Sequence, residues 1–252
     1  MTSTVHTDAS DAGHEVSRGP ASLHPRWRWQ VHPSSVTLKL VMAVTGIVFA
    51  LFVLVHMIGN LKVYTGAEHF DDYAHWLRTL AEPLLPYEGA LWIFRVVLLG
   101  CLVAHVGAAA ALTGRAHKAR GRFRRKGMRA VKSYTARTML IGGVVLLLFI
   151  VFHILDLTIG ARPAASTAFT AGHAYANLVA SFERPAVAIF YLLAMAVLAT
   201  HLAHGLWTAV NDLGVTGHRT RGVCVAAGGL LALTVMVGNM SIPLAVQLGF
   251  VR

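Results

Sequence analysis

The sequence predicts an all-α membrane protein, a five-helix transmembrane bundle, and three observations predict it. The chain is 56% hydrophobic and only 13% charged, a balance foreign to ordinary soluble domains. Five apolar runs reach the roughly 20 residues that a helix needs to cross a hydrocarbon core about 30 Å thick. No short alternating apolar and polar segments recur, which excludes a transmembrane barrel.

The elements follow in order. Residues 1–30 hold Asp8, Asp11, Glu15, Arg18, Pro20 and Pro25 without an apolar stretch before a small-residue cleavage site. They therefore form a flexible cytoplasmic tail and not a secretory signal peptide. RWRW at 26–29 suits a headgroup boundary. Residues 31–252 form one five-span domain. The first span runs from Leu40 to Ile58. A surface helix at 67–80 follows (AEHFDDYAHWLRTL), closed by Pro83 and Pro86, both helix breakers. The second span covers Ala90 to Leu112, and the third, Met139 to Ile159, follows a strongly basic loop. Residues 160–185, rich in Ala, Thr and Gly, form a loop over the outer end. The fourth span covers Ala186 to Val210 and the fifth Val223 to Leu248.

Charge sets the orientation. Of the 22 Lys and Arg, ten lie between Arg115 and Arg137, with Arg18, Arg26, Arg28, Lys39, Arg219 and Arg221 on the same side. The positive-inside rule then makes the amino terminus cytoplasmic and places the carboxyl terminus outside the cell membrane. Because the positive charge gathers at one membrane face, it points to anionic lipid or a partner subunit and argues against nucleic acid. Cys101 and Cys224 both fall inside spans and in no metal-binding or haem-attachment pattern, so they read as small apolar packing residues.

The first and third spans resemble each other. Ser35-x3-Lys39 precedes Met42-x3-Gly46-x9-His56, and Ser133-x3-Arg137 precedes Met139-x3-Gly143-x9-His153; Phe52 and Phe149 each stand four residues before the histidine. Gly46 and Gly143 are candidates for close approach of a flat ligand.

Five histidines lie within spans, His56, His105, His153, His201 and His204. An ionisable side chain in hydrocarbon is costly and must point inward to a partner. His56 and His153 lie roughly 21 to 24 Å from the inner edge at about 1.5 Å per residue, near the outer face. The second and fourth spans run the other way, and there His105 and His201 lie roughly 22 Å from the outer edge, near the inner face. The four therefore pair by level, His56 with His153 and His105 with His201. His204, in HLAHGLW at 201–207, competes with His201 for the fourth-span role, and depth barely separates them.

Two imidazoles facing each other across a bundle suit the axial positions of a b-type haem. A zinc site wants three or four ligands at one level, and a proton relay wants acids at mid-depth, where the spans hold none; Asp156 lies near an outer end. The reading is thus a bundle with two haems b between its first four helices. The alternative from another class is a haem-free transporter or scaffold with histidines as polar glue. Propionates want cations or donors, and depth nominates Arg162 and Lys62 above, Arg115 and Arg137 below. The inner ends of the first and third spans place Ser34, Ser35, Lys39, Ser133 and Arg137 where a quinone carbonyl near that face would need donors.

HMIGNL at 56–61, AHVG at 104–107, FHILD at 152–156 and THLAHGLW at 200–207 resemble the single-chain, five-span, dihaem cytochrome b subunit of succinate dehydrogenases and quinol:fumarate reductases. That resemblance implies the same two histidine pairs, with the first histidine of the fourth-span motif, His201, as ligand. It implies a membrane anchor passing electrons from an iron–sulfur subunit to quinone, menaquinone or ubiquinone, with a flavoprotein subunit carrying the dicarboxylate chemistry. The partners are those two subunits at the cytoplasmic face, with membrane lipid around the bundle and a higher oligomer allowed. Some menaquinol-linked relatives carry a glutamate near the outer start of the second span. The nearest match here is Arg78, with Glu82 four residues later, which leans the reading toward succinate oxidation. Anchors of other dehydrogenases, for hydrogen or formate, would share the haems and differ in partner.

Overall fold

The computed structural model describes residues 2, 33–120 and 130–252, with side chains for all of these except 120 and 130–137. Among the described residues seven α-helices follow in order: α1 Ser35–Asn60, α2 Ala67–Thr79, α3 Gly89–Arg120, α4 Ala130–His153, α5 Ala174–Phe182, α6 Pro185–Asp212 and α7 His218–Gln247. Five segments are long and apolar enough to cross a membrane: Ser35–Thr65, Gly89–Ala119, Thr138–Ile159, Pro185–Asp212 and His218–Gln247. They contain the five apolar runs almost entirely.

Local chemistry explains the ends. The Ser34 hydroxyl accepts from the Thr37 amide at 3.0 Å, a helix N-cap. A 3-10 turn at Leu61–Thr65 continues α1. Pro185 opens α6, where its missing amide hydrogen costs nothing. The third span is not α-helical throughout. After His153 it widens into a π-helical turn, Ile154–Ile159, which ends at Gly160 with φ 73°, a backbone region open to glycine.

Two sequence expectations are refined. The short surface helix lies at 67–79, as α2. The outer segment 160–185 is more than a loop, because its second half forms α5, whose Leu178, Val179 and Phe182 are buried. An apolar face there outweighs the loop-like composition of the preceding residues.

α1 packs on α3 and α6, α4 packs on α6, and α7 lies against α6 and α1. One core cluster joins Phe149, Phe182, Tyr191, Met195, Ile242 and Val246 towards the outer end. A second, of Ala50, Met57, Leu202, Ala232 and Val235, seals α1, α6 and α7. Large apolar side chains such as Leu51, Val103, Leu148, Leu193 and Leu230 face outward, as a lipid-facing surface requires.

At the outer start of α3 the acid in place is Glu88, not Glu82. Glu88 meets Arg78 Nε at 3.3 Å and Arg95 NH1 at 3.2 Å. Glu82 is exposed.

Candidate functional site

The outer histidines come together from two spans. His56 of α1 and His153 of α4 have ring centres 5.9 Å apart and planes at 86°. Each stacks on the phenylalanine one turn before it: Phe52 on His56 at 5.4 Å, and Phe149 on His153 at 5.8 Å. The four-residue spacing places both rings on one face of the helix. His153 is half-buried, whereas His56 is exposed at the surface of the isolated chain.

The inner histidines lie on α3, His105, and on α6, His201. The repeated glycines belong to this level and not to the outer one. A Cβ at Gly46 would lie 3.5 Å from His105 Cε1, and one at Gly143 would lie 3.7 Å from His201 Cε1. Each glycine therefore lets a ring from a neighbouring helix lie against backbone. The sequence repeat nominated these glycines beside His56 and His153, whereas packing sets them against His105 and His201.

Hydroxyl groups orient one imidazole in each pair. Thr45 donates to the Val41 carbonyl at 2.7 Å, so its oxygen accepts from His105 Nδ1 at 3.0 Å. Tyr191 of α6 donates to Asp156 Oδ2 at 3.0 Å and stands 3.3 Å from His153 Nδ1. Asp156 also accepts from Ser181 at 2.5 Å and pairs with Arg184 at 2.7 Å. The π turn after His153 carries this carboxylate, which is 1% exposed. Sequence reading noted Asp156 only as an acid near an outer end, and it missed Tyr191, Thr45 and Arg184 altogether. A lone phenol in an apolar span and the sole acid of the spans were the available signals.

His201 Nδ1 is buried and has no hydrogen-bond partner among the described residues, a costly state for a polar atom. His204 lies against Trp207, ring centres 5.5 Å apart.

These residues fit a haem. Among the described residues no three His, Cys, Asp or Glu side chains gather to hold a metal ion; a metal bound between two imidazoles would have to bring its remaining ligands with it, as a haem does. His56 and His153, with ring centres 5.9 Å apart, are the residues that would hold one such group, and the unpartnered His201 nitrogen is open to another.

The other predicted contacts are mostly engaged. Lys62 lies over the Tyr73 ring at 5.2 Å, and Arg162 donates to the Thr167 carbonyl at 3.0 Å. Arg115 donates to Ser35 Oγ at 3.0 Å, and Lys39 pairs with Asp212 at 3.2 Å. Ser34 caps α1. The side chains of Ser133 and Arg137 lie outside the described residues, as do the tail and its RWRW stretch.

Set beside known proteins, the chain is 26% identical over 166 residues to a Bacillus subtilis (strain 168) protein named succinate dehydrogenase cytochrome b558 subunit. The overlap covers 66% of this chain and 73% of that protein. No family model matches the chain, and no solved structure matches it. The five apolar helices and this distant likeness support a multi-pass membrane protein akin to the cytochrome b anchors of succinate dehydrogenases.

Proposed function

We propose that the chain is the dihaem cytochrome b anchor of a succinate dehydrogenase, linking a cytoplasmic iron–sulfur subunit to membrane quinone. The observation that carries this reading is the meeting of His56 and His153 from two different spans, with ring centres 5.9 Å apart. The Bacillus subtilis relative, a succinate dehydrogenase cytochrome b558 subunit, supports the same reading.

His56 and His153 hold an outer haem in this reading, and His105 and His201 an inner one. A bound haem b supplies one-electron transfer between its ferric and ferrous states. The chain's own residues prepare the sites. Thr45 accepts the Nδ1 hydrogen of His105 and leaves the other nitrogen free to ligate, which fixes the ring's orientation. Gly46 and Gly143 keep side chains clear of the inner imidazoles. Outward-facing Leu and Val hold the bundle in lipid and keep water from its interior. At the cytoplasmic end, Ser34, Ser35 and Lys39 are the donors available to a quinone, and the sequence nominates Ser133 and Arg137 beside them. Of these, Lys39 is more than half exposed on its side chain, so it can exchange Asp212 for another acceptor. The flavoprotein and iron–sulfur subunits would dock at the same face, where the basic loop lies.

Glu88, held by Arg78 and Arg95 at the outer start of α3, keeps a quinol:fumarate reductase anchor as the second reading. It lies near the outer start of the second span, the region in which the resemblance has a glutamate in menaquinol-linked relatives, while the nearest match to that glutamate is Arg78.

A reduced-minus-oxidised spectrum of the purified protein, with haem quantified per chain, tests the proposal. Two haems b per chain are expected, together with co-purifying flavoprotein and iron–sulfur subunits that oxidise succinate. Absence of b-type absorbance refutes the reading and leaves a haem-free scaffold; one haem per chain refutes the two-level pairing.

A further inference from the structure

We infer that Tyr191 and Asp156 form a hydrogen-bond relay that tunes the outer iron through His153, Tyr191 being a positioning residue in contact with the ligand ring and Asp156 the carboxylate behind it. This rests on the proposed haem-binding role of His153. The argument begins with the hydrogens. A phenol has one hydrogen to donate, and Tyr191 directs it to Asp156 Oδ2 at 3.0 Å. Asp156 is in turn the acceptor for Ser181 and for the Arg184 guanidinium, a set of donors suited to a carboxylate. With its hydrogen committed, the Tyr191 oxygen can only accept from His153 Nδ1, 3.3 Å away. His153 therefore carries its hydrogen on Nδ1 and presents Nε2 as the ligating nitrogen.

The relay does more than orient the ring. A metal-bound imidazole whose other N–H is given to a carboxylate or to a group polarised by one becomes a stronger donor. A stronger donor favours ferric over ferrous iron, so it lowers the haem's reduction potential. Burial strengthens the effect, because Tyr191 is 6% and Asp156 1% exposed and hydrogen bonds polarise one another more in low dielectric. Arg184 compensates the carboxylate's charge, which is what allows a buried acid to stand beside an apolar core.

The fold supplies all four members from separate elements. Asp156 comes from the π turn that directly follows His153, Ser181 from α5, Arg184 from the junction before α6, and Tyr191 from α6. Such π turns recur at functional positions. The relay is confined to the outer level. At the inner level His105 meets a threonine whose own hydrogen goes to a backbone carbonyl, with no carboxylate behind it. The two haems are thereby placed in unequal environments, the outer one held lower than its axial ligands alone would set it.

The test is a potentiometric titration of the purified holo-complex, wild type against Tyr191→Phe, followed by haem absorbance and by the ferric low-spin EPR signals. Tyr191→Phe removes the relay hydroxyl without altering any charge, and Asp156 keeps Ser181 and Arg184. Two haems are expected to remain, one of them favouring the ferrous state by about tenfold more than before, an upward shift of about 59 mV for a one-electron couple. The EPR signal of that same haem should change and the other haem should be unmoved. Both haems present with unchanged potentials and signals would overturn the relay. If the outer haem is lost in Tyr191→Phe, Asp156→Asn carries the test with the phenol still in place: an upward shift of the outer haem supports the relay and an unmoved potential overturns it. A wild-type protein without b-type haem sinks the proposed function instead, so the two failures are distinguishable.

Discussion

His201 and His204 stand three residues apart on α6, yet their surroundings are unlike. His201 Nδ1 is buried without a hydrogen-bond partner among the described residues, and Gly143 leaves room beside its ring; His204 rests against exposed Trp207. A buried, unmatched polar atom costs about 1–3 kcal/mol, so it signals a partner outside the protein chain. His201→Ala should therefore remove close to one of two haems per chain, and His204→Ala should retain both, as read by haem quantification. The reverse result would exchange their roles. At this scale the sequence was informative about residue type and depth, because an imidazole in hydrocarbon needs a reason to be there. It was silent about Tyr191 and Thr45, whose roles depend on which hydroxyl meets which ring after the helices have packed.

Among the elements, α1 and α4 carry the repeated Gly-x9-His pattern. The repeat invites the assumption that glycine and histidine serve one ligand. Ten residues at about 1.5 Å each separate them by roughly 15 Å along the axis, half a membrane thickness. Each helix thus contributes its histidine at the outer level and its glycine at the inner one. A Cβ at Gly46 would meet His105 at an ordinary van der Waals distance of 3.5 Å. Gly46→Ala is accordingly expected to keep the inner haem, whereas Gly46→Leu should displace the His105 ring and lose it, with the outer haem unaffected. Absorbance spectra of the two variants distinguish this from a glycine that serves the outer site. The π turn after His153 lay beyond a pattern reading, since the apolar period does not register one widened turn. The helix α5 was likewise hidden by the Ala- and Thr-rich segment around it.

For the whole molecule, the charge bias of the loops predicts an amino terminus in the cytoplasm and a carboxyl terminus outside. A reporter active only outside the cytoplasm should be active when fused after Arg252 and inactive when placed in the basic loop near Arg124. The opposite pattern would invert the levels of the two histidine pairs. Five spans then leave α7 outside the histidine-bearing set. Its contacts with α6 and α1 fit a role in closing one side of the bundle, with Val235 fully buried.

By itself the sequence determined the all-α membrane class and the five spans, and it predicts their direction through the charge bias and the depth of each histidine. These follow from length, hydropathy and a constant rise per residue, which are local properties of the chain. Only the tertiary structure decided that His56 and His153 meet, that Gly46 and Gly143 face the rings of His105 and His201, and that Asp156 reaches His153 through Tyr191. Those relations depend on how helices rotate and pack against one another, and the rotation is set by side chains distant in sequence, such as Phe149, Phe182 and Tyr191 in the outer core.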